Sequence, residues 1–309
     1  MTGKFPPLLI ILGPTAIGKT GLAIEVASRL NSEIIGADSR QVYRHMDVGT
    51  AKPTAKQQQA AIHHLVDVVT PNDNLTLAQY QRLAYTAIDD VIQRSKLPML
   101  VGGTGQYLTA VEEGWSIPEV PPNDKLREVL EAEAVTIGNE AFHQKLVRVD
   151  PHAAEKIHPN NVRRVVRALE VYMETGTPIS VLQQKQAPPY RIRTIGLRME
   201  REALYEQADK RVELMIADGF VDEVQSLLDN GYAASLPSMT ALGYREIVSY
   251  IQGEISLDEA IILTKNSTHD FIRRQEIWFR GHDNGILWHN ILEIDANTVV
   301  NDIVKWMQE

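Results

Sequence analysis

The sequence predicts an α/β fold: a parallel sheet flanked by helices, with an inserted all-helical domain and a helical C-terminal part. Three observations predict it. Short apolar runs, Leu8 to Leu12, Glu33 to Ala37 and Met99 to Val101, alternate with helical patterns over Thr20 to Leu30 and Leu77 to Arg94. That alternation marks buried parallel strands joined by crossover helices. Strand signals then stop at Ile117-Pro118-Glu119-Val120-Pro121-Pro122, and helical periodicity runs on to Ala187-Pro188-Pro189-Tyr190, so proline clusters bracket an insertion. Finally, Arg193-Thr194-Ile195-Gly196-Leu197 reads as a strand returning to the sheet, after which the pattern is helical nearly to the C-terminus. The expected division is a core of residues 1–120 and 191–309 around an insertion of residues 121–190.

The first apolar run feeds Gly13-Pro14-Thr15-Ala16-Ile17-Gly18-Lys19-Thr20, which opens the first helix. A strand, a glycine turn and a helix in this order aim backbone N–H groups and the positive helix end at one spot, beside Lys19 and the Thr20 hydroxyl. The spot suits a diphosphate. The second run ends in Asp38-Ser39-Arg40-Gln41-Val42-Tyr43, and the third in Gly102-Gly103-Thr104-Gly105-Gln106-Tyr107. Ligands of parallel sheets sit at the carboxyl ends of strands, so Asp38 is expected beside Lys19, either orienting a Mg²⁺ ion or acting on substrate directly. Three glycines in the third turn would let a ligand approach the backbone closely.

Two helical segments carry unusual charges. Over Asn160 to Thr175, Val162, Val165, Val166, Leu169, Tyr172 and Met173 share one face, and Arg163, Arg164 and Arg167 lie roughly opposite. Gly176 and Pro178 stop that helix. Over Glu202 to Asp218, Arg211 projects onto the apolar stripe of Leu204, Ala208, Val212 and Met215. A guanidinium aimed inward must meet an anion, either a buried carboxylate or a bound diphosphate.

Composition narrows the function classes. The 309 residues are 44% apolar and include no cysteine, which excludes disulfides, thiolate zinc sites and a thiol nucleophile. The N-terminal apolar run is too short for a signal peptide and no run of about 18 apolar residues occurs, so a cytoplasmic protein is expected. Net charge is −9, which argues against indiscriminate coating of nucleic acid, yet residues 141–193 carry +5, leaving −14 on the remainder. An anionic partner met on one basic face is expected. The histidines, His63 and His64 included, show no metal-ligand spacing. Trp278 and Phe279 read as core, and the acidic stretch from His282 onward as an irregular tail.

Taken in order, the phosphate loop, Asp38 to Tyr43, Gly49-Thr50-Ala51-Lys52-Pro53, Gly102 to Tyr107, Asn160 to Tyr172, Ala241-Leu242-Gly243-Tyr244-Arg245-Glu246 and Arg273-Arg274-Gln275-Glu276-Ile277-Trp278-Phe279-Arg280 resemble the bacterial tRNA dimethylallyltransferases. The resemblance runs from about residue 8 to about residue 281. Ile17, Gln106 and Phe271 stand where that family usually has Ser, Leu and Tyr, and none of these is a reacting group. The resemblance implies a P-loop NTPase-like (nucleotide-kinase-like) fold. It further implies transfer of a dimethylallyl group from dimethylallyl diphosphate to N6 of the adenine immediately 3′ of the anticodon, with Mg²⁺ and release of diphosphate.

For that reaction the chemistry of the residues suggests that Gly13 to Thr20 and Arg211 bind the diphosphate, Thr20 holds the metal, and Asp38, Thr20 and Arg211 carry catalysis. By resemblance, Asp38, Ser39, Arg40, Gln41, Thr104, Arg127 and the run Arg163, Arg164, Val165, Val166, Arg167 meet the anticodon stem-loop. The adenine amine is a poor nucleophile, so a base that removes its proton helps, and Asp38 is the candidate. A monomer that does not bind membranes is expected. Rival readings are a small-molecule kinase using the same loop and an RNA-binding module with a purely structural loop. No Asn-Lys-x-Asp stretch supports a GTPase.

Overall fold

The computed structural model describes residues 5–283 and 285–308. Strands β1 (Pro7–Leu12), β2 (Ser32–Ala37), β3 (His63–His64), β4 (Leu97–Gly102), β5 (Arg191–Arg198) and β6 (Leu287–Asn290) form one sheet in the order β3-β2-β4-β1-β5-β6. Every neighbouring pair is parallel. All strands therefore end on the same edge. The chain leaves β1 for β2, two places away, returns through β4, and later crosses to β5 on the other side. The edge beside β1 is thus the point where the strand order reverses, where such sheets hold ligands.

Side chains of β1 alternate between two cores. Leu9 and Ile11 pack with Leu22, Ala23 and Val26 of the helix Lys19–Arg29 and with Leu204 and Ala208 of the helix Arg201–Ala217. Leu8, Ile10 and Leu12 pack on the opposite face with Tyr80, Ala84 and Ile88 of the helix Leu77–Gln93. Burial on both faces explains why these strands read as continuous apolar runs. A third core gathers Val42, Tyr43 and Met46 with Phe220, Val224, Tyr244 and Ile247.

The segment beyond His282 is not an irregular tail. Leu287–Asn290 adds β6 to the sheet, and Val299, Ile303 and Trp306 of the helix Ala296–Gln308 join the core around the first helix. Four residues are too few for alternation to show, so periodicity misses such an edge strand. The same holds for the two-residue β3, where His64 Nε2 lies 2.7 Å from the buried Glu33 carboxylate. Arg94 and Lys96 bind that carboxylate as well and hold its pKa well below the usual range.

The chain divides into two compact units: one runs up to Glu112 and resumes at Pro189, and the other is Glu113–Pro188. The smaller unit is helical, with Asp124–Ile137, Asn139–Val149 and Val162–Thr175 enclosing Leu130, Phe142, Leu146, Val165, Val166 and Leu169. Met173, read from periodicity as part of the apolar face, is 53% exposed in the last turn; Ala168, Glu170 and Val171 are buried instead. The basic stretch 141–193 is divided between the two units. Arg191 and Arg193 belong to β5 in the larger unit, where both guanidiniums sit over the Trp306 ring.

The glycines of the third turn serve packing. A β-carbon on Gly102 would lie 2.0 Å from the Ala37 carbonyl oxygen, and one on Gly105 would lie 2.2 Å from the Trp278 ring. These glycines let β2 approach β4 and the helix Leu257–Gly281 approach the turn that follows β4. Gly102→Ala is expected to push β2 from β4 and cost about 1–3 kcal/mol, the usual penalty of overpacking, read as a lower midpoint in denaturant unfolding.

Candidate active site

The loop after β1 folds around two left-handed residues, Ala16 (φ 64) and Gly18 (φ 95, ψ 13). Gly18 is the N-cap of the helix Lys19–Arg29 and has no side chain to cap it, so the first-turn N–H groups face outward. The dipole makes this helix end favourable for an anion. Lys19 Nζ curls back to donate to the Pro14 carbonyl at 2.8 Å.

Three side chains from distant helices brace the loop. Gln275 Oε1 accepts the Thr15 N–H at 2.8 Å, Arg211 donates to Thr15 Oγ1 at 2.6 Å, and Gln207 Nε2 donates to the Ala16 carbonyl at 2.7 Å. The Thr15 amide, which belongs to the stretch expected to bind diphosphate, is therefore already bonded within the protein. Gly13 and Pro14 do not line the cavity. A β-carbon on Gly13 would lie 2.9 Å from the Leu197 carbonyl, and proline lacks an N–H, so these two shape the turn behind the cradle.

Asp38 stands at the end of β2 on the same edge. Its Oδ1 accepts the N–H groups of Arg40 at 2.8 Å and Gln41 at 3.3 Å, which closes a tight turn and fixes the carboxylate. The Ser39 N–H donates to Thr104 Oγ1 at 3.0 Å, tying the β2 turn to the β4 turn. Arg40 donates to the Pro237 carbonyl at 2.9 Å. Gln41 Nε2 donates to the carbonyls of Thr50 and Ala51, both at 3.1 Å.

The stretch Gly49 to Pro53 forms the opposite wall. Glu223 accepts the N–H groups of Asp47, Val48 and Gly49 and the Tyr244 hydroxyl. The buried Lys52 donates to the Tyr43 carbonyl, Asp47 and Asp67. Sequence reasoning assigned these two residues no role. A cavity of about 890 Å³ lies between this wall and the phosphate loop. Thr15 to Thr20, Asp38, Gln41 and Arg211 line it, with Val48, Ala51, Leu214 and Met215 supplying apolar surface.

Lys52 is ion-paired to Asp47 and Asp67, but two other cations of the cavity are not. No carboxylate lies within ion-pair distance of Lys19 or Arg211 among the described residues, so the inward guanidinium of the helix Arg201–Ala217 has no buried acidic partner. Loss of water lowers the Lys19 pKa to about 8; Asp38 opposes that shift and Arg211 adds to it. Burial likewise lowers the Arg211 pKa, with Asp38 opposing, and a guanidinium stays charged regardless. Two like charges that face one cavity make it a candidate site for an anion. The Thr20 hydroxyl, at the first turn of the helix, lines the same space.

The smaller unit displays its arginines unequally. Arg163 and Arg164 are exposed, whereas Arg127 and Arg167 are held by Glu170, at 2.9 and 2.6 Å. Glu170 is fully buried and also accepts the Asn123 N–H. Val165 and Val166 are 0% and 2% exposed. Their place in the expected RNA-contacting run is corrected to core, because a helix turns each pair of residues inward after each exposed pair.

Comparison with known proteins identifies the family. A family model described as IPP transferase matches residues 41–282. The chain belongs to the IPP transferase family. A Roseiflexus sp. protein named tRNA dimethylallyltransferase is 53% identical over 274 residues, spanning 89% of this chain and 90% of that one. Its namesake from Chloroflexus aggregans is 53% identical over 281 residues, 91% of this chain and 95% of the relative. The crystal structure of the full-length tRNA isopentenylpyrophosphate transferase from Bacillus halodurans superposes with a TM-score of 0.73 at 38% identity, covering 98% and 97% of the two chains. A eukaryotic dimethylallyltransferase acting on tRNA shares the fold at a TM-score of 0.81 and 24% identity. The IPP transferase fold is P-loop NTPase-like, as the parallel sheet and phosphate loop indicate.

A lysine titrating near pH 8 has a measurable consequence. Lys19 is protonated below that pH and increasingly neutral above it, while a bound diphosphate favours the protonated form. Diphosphate binding is expected to take up protons at pH 8.5, and affinity to fall as pH rises past 8. Calorimetry in two buffers of different ionisation enthalpy reads the uptake, and Lys19→Met is expected to remove that share of it.

Proposed function

We infer that this IPP transferase moves a prenyl group onto tRNA, with an allylic diphosphate as donor. Membership of the family and the names of relatives at 53% identity support prenyl transfer to tRNA. We further propose dimethylallyl diphosphate as the donor and N6 of the adenine immediately 3′ of the anticodon as the acceptor. The observation that carries the reading is the convergence of Lys19, Thr20 and Arg211 with a fixed carboxylate, Asp38, on one cavity.

In this reading the diphosphate lies against the first turn of the helix Lys19–Arg29, and Lys19 and Arg211 offset its charge. The N6 lone pair attacks the allylic carbon as the C–O bond breaks, and the bonding electrons leave with the bridging oxygen of diphosphate. The N6 proton passes to Asp38. Preorganised cations aimed at a leaving group that gains charge favour the transition state over the ground state. The apolar surface of Val48, Ala51, Leu214 and Met215 suits the five-carbon chain. A flipped adenine costs a few kcal/mol of stacking, which phosphate contacts elsewhere offset.

Mg²⁺ fits this residue set. Among the described residues no group of three or more His, Asp or Glu could cage a metal, but Mg²⁺ commonly takes one or two protein oxygens together with phosphate oxygens and water. The Thr20 hydroxyl would hold it. When bound it would supply Lewis-acid stabilisation of the departing diphosphate.

The smaller unit would grip the stem-loop backbone through Arg163 and Arg164, with Arg127 and Arg167 held in place by Glu170. Asp38 to Gln41 and Thr104 would meet the loop bases. We propose that it acts as a monomer. No helix among the described residues is long and apolar enough to cross a membrane. We propose the cytoplasm as the site of action.

Labelled dimethylallyl diphosphate and an unmodified anticodon stem-loop, with ATP as competitor, test the reading; ATP hydrolysis without label transfer would favour a kinase. Asp38→Asn keeps the Oδ1 that closes the turn but removes the base. Single-turnover transfer is expected to fall by about 10² to 10⁴ while diphosphate binding persists, and near-normal transfer would demote Asp38 to a structural role. Stem-loop affinity is expected to weaken with salt. In the Arg163→Ala/Arg164→Ala double variant, the slope of log K against log salt should shrink by about 1 to 2.

A further inference from the structure

We propose that Gln275 is a positioning residue for prenyl transfer: its side-chain amide sets the phosphate loop by bridging Thr15 to Gly103. The proposal rests on the diphosphate reading of the cavity. Gln275 is 5% exposed and sits on the inward stripe of the helix Leu257–Gly281 between Ile272 and Phe279. Both ends of its amide are used. Oε1 accepts the Thr15 N–H at 2.8 Å, and Nε2 donates to the Gly103 carbonyl at 2.7 Å. A buried amide satisfied at both ends by two different loops fixes their separation, because neither partner can leave without an unpaired buried group.

The geometry ties this bridge to the ligand's cations. A β-carbon on Gly103 would lie 2.5 Å from Gln275 Nε2 and 3.4 Å from Lys19 Nζ, so the amide and the ammonium flank the same point. Thr15, whose N–H the amide holds, offers its hydroxyl to Arg211 at 2.6 Å. One glutamine therefore governs the loop residue on which Arg211 rests and the turn against which Lys19 packs. It contributes no atom to the cavity wall, so its effect passes through the residues it holds. The same helix carries Arg273, Arg274 and Arg280 on other faces, two of them occupied by Asp270 and the Phe271 ring.

Gln275→Met keeps size and helix preference while removing both hydrogen bonds. Inorganic diphosphate affinity, measured by calorimetry on the full chain, is expected to weaken about tenfold. KM for dimethylallyl diphosphate should rise by a similar factor, with kcat within about threefold of wild type and stem-loop affinity unchanged. Gly103→Ala, whose β-carbon displaces the amide from the other side, should produce the same split, which keeps the test open should Gln275→Met fail to fold. Unchanged diphosphate affinity in either folded variant would overturn the proposal, as would a lowered thermal midpoint with KM unmoved. Tighter binding, from a freed Thr15 amide joining the cradle, would also overturn it. Wild-type protein that fails to bind diphosphate would instead sink the reading of the cavity itself.

Discussion

The parallel alignment of β1, β2 and β4 is the constraint on which the rest of this structure depends. Parallel strands in adjacent positions end together, so the three turns that follow them are delivered to one edge without any contact between them being required first. The phosphate loop, Asp38 and the Gly102 to Gly105 turn are neighbours for that reason. Gly102 makes the alignment possible, since β2 and β4 approach more closely there than any side chain permits.

Electrostatics then acts on what the sheet has assembled. Lys19 and Arg211 would each be better solvated elsewhere, yet the fold holds both beside a helix N-terminus with no carboxylate in ion-pair range among the described residues. Leaving like charges together in a partly dehydrated cavity costs stability. In the proposed reading a bound anion would recover that cost, whereas a structural ion pair such as Glu33 with Arg94 and Lys96 is already neutralised. Glu170 does the structural version in the smaller unit, holding Arg127 and Arg167 in fixed positions while Arg163 and Arg164 stay exposed.

Much of the site was legible because its signals are local. Strand, glycine turn, lysine and threonine are consecutive, so the Gly13 to Thr20 loop announces itself, and Asp38 follows a strand by one residue. Arg211 was legible through a rule violation, a charge on an apolar stripe. Gln275 breaks the same rule between Ile272 and Phe279 and was read only as part of a motif; an uncharged amide violates periodicity less visibly than a guanidinium does. Lys52 and Glu223 gave no signal, because a cation and a carboxylate in polar surroundings look like surface.

By itself the sequence determined the parallel α/β class, the four long strands, the phosphate loop and the inward arginine, since each follows from contiguous residues or from helical and strand periods. Only the tertiary structure decided which side chains brace the loop, what the third turn's glycines pack against, and that the last residues add a strand and a helix to the core. Those outcomes depend on partners far away in the chain, such as Thr15 with Gln275 and Arg211, 260 and 196 positions on. No local period encodes such a pairing, because its energy exists only once the chain has closed upon itself.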